Sequence, residues 1–251
     1  LEHLLPENGF DLTRALVGTE GTLGVILEAD LRLVADAPVR VLVVLGFEDM
    51  IAAARAVPSI LPFRPVACEG LDRRITDVVA ATRGPSSLPG LPVGDGWLFI
   101  EVAGESQASL LEVAGQIQAA GGAQSARVVT AQDEMAALWR IREDGSGLVA
   151  RTSSGRPAHA GWEDAAVPPG RLASYLTDFE ALLRDHRLHG VPYGHFGDGC
   201  VHVRIDFDLD ASSGKERFKD FLDSAARLVA EYGGSISGEH GDGRARSDLL
   251  R

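Results

Sequence analysis

Between residues 39 and 143 the same order of elements is written twice, and that order admits few architectures. "VRVLVVLGF" (39–47) is a continuous apolar run of strand length, followed by helical periodicity from Glu48 to Leu61. "FRPVACEGL" (63–71) reads as a second strand leading into a helix over 71–82. After the Gly/Pro/Ser linker "RGPSSLPGLPVGDG" (83–96) come strand "WLFIEVA", a helix over 106–120 stopped by Gly121-Gly122, strand "SARVVT" and a helix over 131–143. Two β-α-β-α units in tandem predict an α+β fold of ferredoxin-like type, with an antiparallel sheet and helices packed on one face.

The flanks extend this pattern. Residues 16–34, "LVGTEGTLGVILEADLRLV", place a Gly-rich turn before two strand-like runs, "LGVIL" and "ADLRLV". "AHAGWEDAAVPPGRLASYL" passes from a strand through Pro168-Pro169 into a helix ending near His189-Gly190. "VPYGHFG" and "CVHVRIDFDL" then read as strands around the turn Gly197-Asp198-Gly199, where glycine accepts positive φ. An amphipathic helix over 214–232 closes at Gly233-Gly234.

Composition narrows the function classes. A formal charge of −12, with Lys and Arg scattered, disfavours a nucleic-acid partner. Two cysteines, Cys68 and Cys200, lie 132 positions apart with no metal-ligand or redox spacing, which fits a reducing, cytoplasmic compartment. No apolar run reaches the ~18 residues of a membrane span, so membrane association is expected only through partners. The missing initiator Met and the unfinished helical turn in "GDGRARSDLLR" give the expectation of a piece of a longer protein.

Two motifs carry chemistry. "GHFGDGCVHV" puts His195 and His202 on either side of a tight turn, so that a strand pair can aim both rings at one point. "SISGEHGDGRARSDLL" adds Glu239 and His240 between glycines. A set of His195, His202 and Glu239 suits zinc or manganese and leaves positions open for a substrate oxygen, while His240, diverging from Glu239 in an extended loop, has the chemistry of a general base. Structural histidines and an incidental glycine loop remain the plain alternative. "GTEGTLG" matches no phosphate-loop pattern and reads equally as a hairpin turn. Arg140 and Arg142 sit near a helix end, and Arg204 shares a strand face with His202; either position could supply a carboxylate-binding guanidinium.

Taken together, "LVGTEGTLGVILEADLRL", "GHFGDGCVHVRIDF" and "SISGEHGDGRARSDLL" resemble FAD-linked oxidases and dehydrogenases of the vanillyl-alcohol-oxidase type, in the branch of D-lactate dehydrogenase, D-2-hydroxyglutarate dehydrogenase and the glycolate oxidase flavin subunit. The resemblance covers nearly the whole chain. It implies three segments: residues 1–36 as the tail of an FAD-binding domain, 37–232 as a ferredoxin-like substrate or cap domain, and 233–251 as the Glu-His loop with the start of a helix. It also implies that Gly18, Thr19, Glu20, Gly21, Gly24, Val25 and Ile26 contact FAD, bound mostly by an upstream domain. His195, His202 and Glu239 fall on metal ligands, His240 on the base, and Arg142 on a substrate-carboxylate arginine, with Arg204 beside it.

The implied reaction is oxidation of a D-2-hydroxy acid, with electrons leaving to an iron-sulfur domain, a quinone or another flavoprotein; assembly into a homo-oligomer is left open. Three positions depart from the family pattern: Cys200 stands for Asn in GDGNLH, Arg204 for a frequent Asn, and Trp162 in "WED" for Lys in "KYD". They leave the substrate open. "GWEDAAVPP" and "HVRIDF" look more like long members that continue into a C-terminal iron-sulfur domain. The rival reading is a non-catalytic assembly module without a metal.

Overall fold

The computed structural model describes residues 2–17, 19, 21–84, 88–148 and 157–250, with the side chains of 144–148 excepted. The chain divides into two compact units, Leu1–Asp36 with Gly241–Arg251, and Ala37–His240. In the first unit, α1 (Leu12–Val17) is followed by a turn in which Thr19 Oγ1 donates to the Leu16 carbonyl and Thr22 Oγ1 to the Thr19 carbonyl.

The strands expected in "LGVIL" and "ADLRLV" are not formed. Their apolar residues, from Leu23 to Val34, are exposed, reaching 93% for Leu27. Alternation alone does not make a strand, because the backbone donors and acceptors need a ladder partner, and among the described residues none pairs with this segment.

The second unit is built on seven antiparallel strands in the order β4-β1-β3-β2-β6-β7-β5. The strands are β1 (Val39–Phe47), β2 (Ala67–Asp72), β3 (Gly96–Gly104), β4 (Ser125–Val129), β5 (His159–Ala166), β6 (Gly190–Gly194) and β7 (Cys200–Ile205). Between them run α2 (Met50–Ile60), α3 (Arg73–Arg83), α4 (Gln107–Gly121), α5 (Gln132–Leu148) and α6 (Leu172–Asp185), and α7 (Gly214–Glu231) follows β7. The order β4-β1-β3-β2 is that of the expected ferredoxin-like half; β6, β7 and β5 widen it through a short β2–β6 pairing of Gly70 with Gly194 and Leu71 with Tyr193.

Local chemistry sets the helix starts. Asp49 caps α2 by accepting the Ala52 N–H at 2.7 Å, and Asp72 caps α3 by accepting that of Arg74 at 2.8 Å.

The helices are not confined to one face. Val41, Val43 and Leu45 of β1 enter a core with α2, α4, α6 and α7, whereas Leu42 and Val44 enter a second core with α3 and α5. The reason lies in the run "VRVLVVLGF", which has apolar side chains on both faces and is stable only where both are covered. Trp162 belongs to the first core, where its indole N–H donates to Tyr175 Oη at 3.0 Å.

On the α3/α5 side, Glu69 and Leu71 of β2, Tyr193 of β6, and His202 and Arg204 of β7 lie on the same sheet face by strand alternation. The apolar members of that row close the core under α3 and α5, and the polar members carry the site. Among the described residues no helix is long and apolar enough to cross a membrane.

Candidate active site

β6 stops at Gly194, so His195 stands one residue beyond the strand on which it was expected. A Cβ on Gly194 would lie 2.7 Å from the Cys200 carbonyl oxygen, and its φ of +142° favours glycine. The Phe196–Asp198 turn then reverses the chain, with the His195 carbonyl accepting the N–H of both Asp198 and Cys200. Phe196 is fully buried against Gly70, which locks the turn to β2. These contacts fix the backbone that carries His195.

The structure brings His195, His202, Glu239 and His240 together. Glu239 Oε1 lies 3.2 Å from His195 Nε2, 3.3 Å from His202 Nε2 and 3.3 Å from His240 Nε2. The rings of His195 and His202 are 5.4 Å apart and nearly perpendicular; that of His240 stacks on His202 at 5.5 Å. The divergence expected between Glu239 and His240 does not occur, because the loop is curled rather than extended.

A carboxylate oxygen that faces three imidazole nitrogens needs protons or a cation between them. His195 Nδ1 is 2.6 Å from Glu69 Oε1, so with Glu69 ionised the ring proton belongs on Nδ1 and a neutral His195 turns a lone pair toward Glu239. The Glu69 hydrogen bond raises the His195 pKa. His202 behaves oppositely: burial, then the neighbouring His195, pushes it down to about 4 and keeps it neutral. Burial works against the charge on Glu69, but hydrogen bonds from His195 and the Arg142 guanidinium hold its pKa below the ordinary value. One ligand atom from each of His195, His202 and Glu239 lies within 4.8 Å of the others.

Three carboxylates that the sequence reading passed over organise this cluster. Glu69 accepts from His195 and, through Oε2, from Arg142 Nε at 3.0 Å. Glu163 lies 3.5 Å from His202 Nδ1 and 3.3 Å from Arg204 Nε. Asp164, fully buried, accepts the backbone N–H groups of Glu239 and His240, each at 2.8 Å, and these bonds lower its pKa against the cost of burial. Glu69 left a sequence signal, a lone acid inside an apolar strand.

The arginines flank the histidines. The Arg142 guanidinium lies 5.9 Å over the Tyr193 ring, Arg204 is diagonal to Tyr193 on the same face of the β6–β7 pair, and the Tyr193 ring is 5.3 Å from that of His202. Arg140 is exposed on α5. Of the expected FAD contacts, Gly18 and Glu20 lie outside the described residues, and Thr19, Gly21, Gly24, Val25 and Ile26 belong to the first unit. Val25 and Ile26 are exposed, and a Cβ on Gly21 or Gly24 would meet nothing within 4 Å.

Comparison with known proteins gives this arrangement a family. Residues 37–251 match the family described as FAD linked oxidases, C-terminal domain. The chain is 31% identical over 249 residues to the D-2-hydroxyglutarate dehydrogenase of Escherichia coli K12, an alignment covering 93% of this chain and 24% of that protein. It is 29% identical to the glycolate oxidase subunit GlcD of Bacillus subtilis, covering 96% of this chain and 51% of that one. The chain thus spans from about a quarter to about half the length of these relatives.

Among solved structures, an alkyldihydroxyacetonephosphate synthase aligns over 96% of this chain and 48% of its own with a TM-score of 0.56 and 15% identity. 4-ethylphenol oxidase from Gulosibacter chungangensis aligns over 82% and 46% with a TM-score of 0.55, also at 15% identity. These two likenesses speak to the fold.

Proposed function

We propose, from the premise that this chain belongs to the FAD linked oxidases through their C-terminal domain, that it forms the substrate side of an FAD-dependent D-2-hydroxy-acid dehydrogenase. The observation that carries the reading is the convergence of three imidazole Nε2 atoms on Glu239 Oε1, with two guanidiniums beside them. The relatives named D-2-hydroxyglutarate dehydrogenase and glycolate oxidase subunit support the substrate class.

The donor set fits a divalent ion. With its proton on Nδ1, toward Glu163, neutral His202 joins Nδ1-protonated His195 and the Glu239 carboxylate in presenting acceptors to one point, where a cation would match all three. His195, His202 and Glu239 would hold it, and zinc or manganese suits the set. When bound, such an ion lowers the pKa of a substrate hydroxyl, and FAD accepts the two electrons.

This chain's own residues do the rest. Arg142 and Arg204 bind and orient carboxylate oxygens, the first with its guanidinium hydrogen-bonded to Glu69 and the second 3.3 Å from the Glu163 carboxylate. Glu69 fixes the tautomer and direction of His195. His240 is placed to accept the hydroxyl proton at a ring nitrogen; bound FAD would supply the acceptor for the hydride on C2, leaving a carbonyl. Thr19, Gly21, Gly24, Val25 and Ile26 contribute flavin contacts; their openness leaves room for a ligand. The electron acceptor would be an iron-sulfur domain, a quinone or another flavoprotein.

The test is a rapid-mixing experiment on the full-length protein, in which bleaching of oxidised flavin is followed against a panel of D-2-hydroxy acids and their L-isomers. Bleaching by D-isomers alone is expected. A flavin that no hydroxy acid reduces overturns the reading and leaves the non-catalytic module.

A further inference from the structure

The Gly238-Glu239-His240 segment has no regular secondary structure of its own, yet it delivers two of the four converging side chains. Its backbone is held from β5. Asp164 accepts Glu239 N–H on Oδ1 and His240 N–H on Oδ2, both at 2.8 Å, and its carbonyl accepts Gly238 N–H at 2.8 Å. Three consecutive amides thus end on one residue. The Ser237 hydroxyl, 3.4 Å from Oδ2, and the Cys200 thiol, 3.5 Å from Oδ1, complete the surroundings.

β5 is shaped for this. Its pairing with β7 shifts register on either side of Trp162, between Trp162 and Ala165 and between His159 and Trp162. At the irregularity Asp164 takes φ +76°, a conformation that Asp and Asn tolerate better than other side chains. The approach is close enough that a Cβ on Gly238 would stand 2.9 Å from Ala166 Cβ and 3.3 Å from Asp164 Oδ1. A backbone strained at one residue, buried completely, and matched to three amides is a device for placing a loop.

We propose that Asp164 is the positioning residue of the site: its carboxylate clasps the Glu239 and His240 amides and so aims the Glu239 carboxylate and the His240 ring at the His195–His202 pair. Although an Asp164 oxygen lies within 4.8 Å of ligand atoms on Glu239 and His240, its two oxygens are turned to backbone N–H groups, and it acts through the loop rather than on an ion. The assignment rests on the reading of Glu239 and His240 as the working groups of that site.

The experiment compares full-length wild type with Asp164→Asn, which keeps size and tolerance of positive φ but replaces one acceptor with a donor, and with Asp164→Gly, which removes the clasp without strain. Backbone amide exchange is read first: the Glu239 and His240 amides should exchange faster by about 10-fold or more in Asp164→Gly, and at least one of them in Asp164→Asn, with the sheet still protected. Mn²⁺ affinity, titrated into chelator-stripped protein, should fall about 10- to 100-fold. Flavin reduction at saturating Mn²⁺ should slow, and under that condition Asp164→Asn combined with His240→Asn should be no slower than His240→Asn alone.

Unchanged exchange at Glu239 and His240 overturns the clasp. Faster exchange with unchanged Mn²⁺ affinity overturns the positioning role, as does loss of protection throughout the sheet in both variants. Exchange and metal affinity are read without any hydroxy acid, so failure of the dehydrogenase reading shows separately, as wild-type flavin that no hydroxy acid bleaches.

Discussion

Glu69 Oε1 stands 2.6 Å from His195 Nδ1, while Oε2 of the same carboxylate accepts Arg142 Nε at 3.0 Å. One acid on β2 therefore orients two side chains, from the β6 turn and from α5, that approach the site from different directions. A carboxylate behind an imidazole fixes its tautomer and raises its basicity toward whatever the other nitrogen meets. Glu163 stands in a similar place behind His202 and Arg204, at longer range.

Glu69→Gln tests this brace. Glutamine fills the same space but loses the charge that holds His195 protonated on Nδ1 and Arg142 aligned. The expected outcome is a fall of about 10- to 100-fold in affinity for Mn²⁺ or Zn²⁺. Glu69 is buried and Arg142 largely so, so removing the charge leaves the guanidinium poorly compensated and some stability is lost as well. Metal titration of the stripped full-length protein, with a melting curve alongside, decides it; unchanged affinity would mean that His195 is oriented without Glu69.

Gly70→Ala probes the turn from beneath. The added Cβ would lie 2.6 to 2.7 Å from three Phe196 ring atoms, and the ring, fully buried, has nowhere to go. Overpacking of this kind costs about 1–3 kcal/mol. Gly115→Ala in α4 is the control: its Cβ would meet nothing within 4 Å, and relief of glycine's entropy cost should stabilise by about 0.5–1 kcal/mol. Denaturant unfolding of the two variants should shift in opposite directions, and a neutral Gly70→Ala would show that Phe196 does not pin the turn.

The sequence disclosed what is local. β1 fills the predicted run 39–47 because every residue needed for a two-sided core lies inside it, and α2 and α3 begin at aspartates that cap them. The second helical layer was missed although the same run implies it, since burial on both faces of β1 demands cover on both. The strands read into 23–34 failed for lack of a partner. Within the site, His195, His202 and Glu239 stood out by residue type. Glu69 and Asp164 did not, because the role of one depends on β2 lying beside β6, and that of the other on an irregular strand with a left-handed residue.

Acid titration of the metal-free protein should separate the two strand-flanking histidines. His202, held neutral by burial and by His195, protonates only near pH 4, below the unfolded value of about 6.5. Between these values the unfolded chain binds the extra proton, so this group's contribution to stability is present above about 6.5 and lost as pH falls toward 4. His195, raised by its bond to Glu69, has the opposite sign: its contribution is full below the unfolded value and disappears as pH rises through its folded pKa. Imidazole proton shifts followed by NMR should show His195 titrating well above His202, and the reverse order would refute the assignment.

The remaining prediction concerns His240, whose ring lies 5.5 Å from that of His202 and whose Nε2 is 3.3 Å from Glu239 Oε1. Its side chain is half exposed, as a group that must meet substrate requires, whereas that of His202 is 5% exposed. His240→Asn in the full-length protein preserves a polar side chain of similar reach and leaves the backbone N–H on Asp164 Oδ2, so the loop should keep its shape. If the ring takes the hydroxyl proton, flavin and metal content stay at wild-type levels while the reduction of flavin by substrate slows about 10²- to 10⁴-fold. Single-turnover bleaching reads that step without involving the electron acceptor. A wild-type rate would place the base elsewhere and leave Glu239-His240 as a ligand loop only. Loss of metal together with activity would make His240 a ligand, an outcome to which its approach to the Glu239 carboxylate gives physical sense, and would move the search for the base to the surroundings of Tyr193 and Arg204.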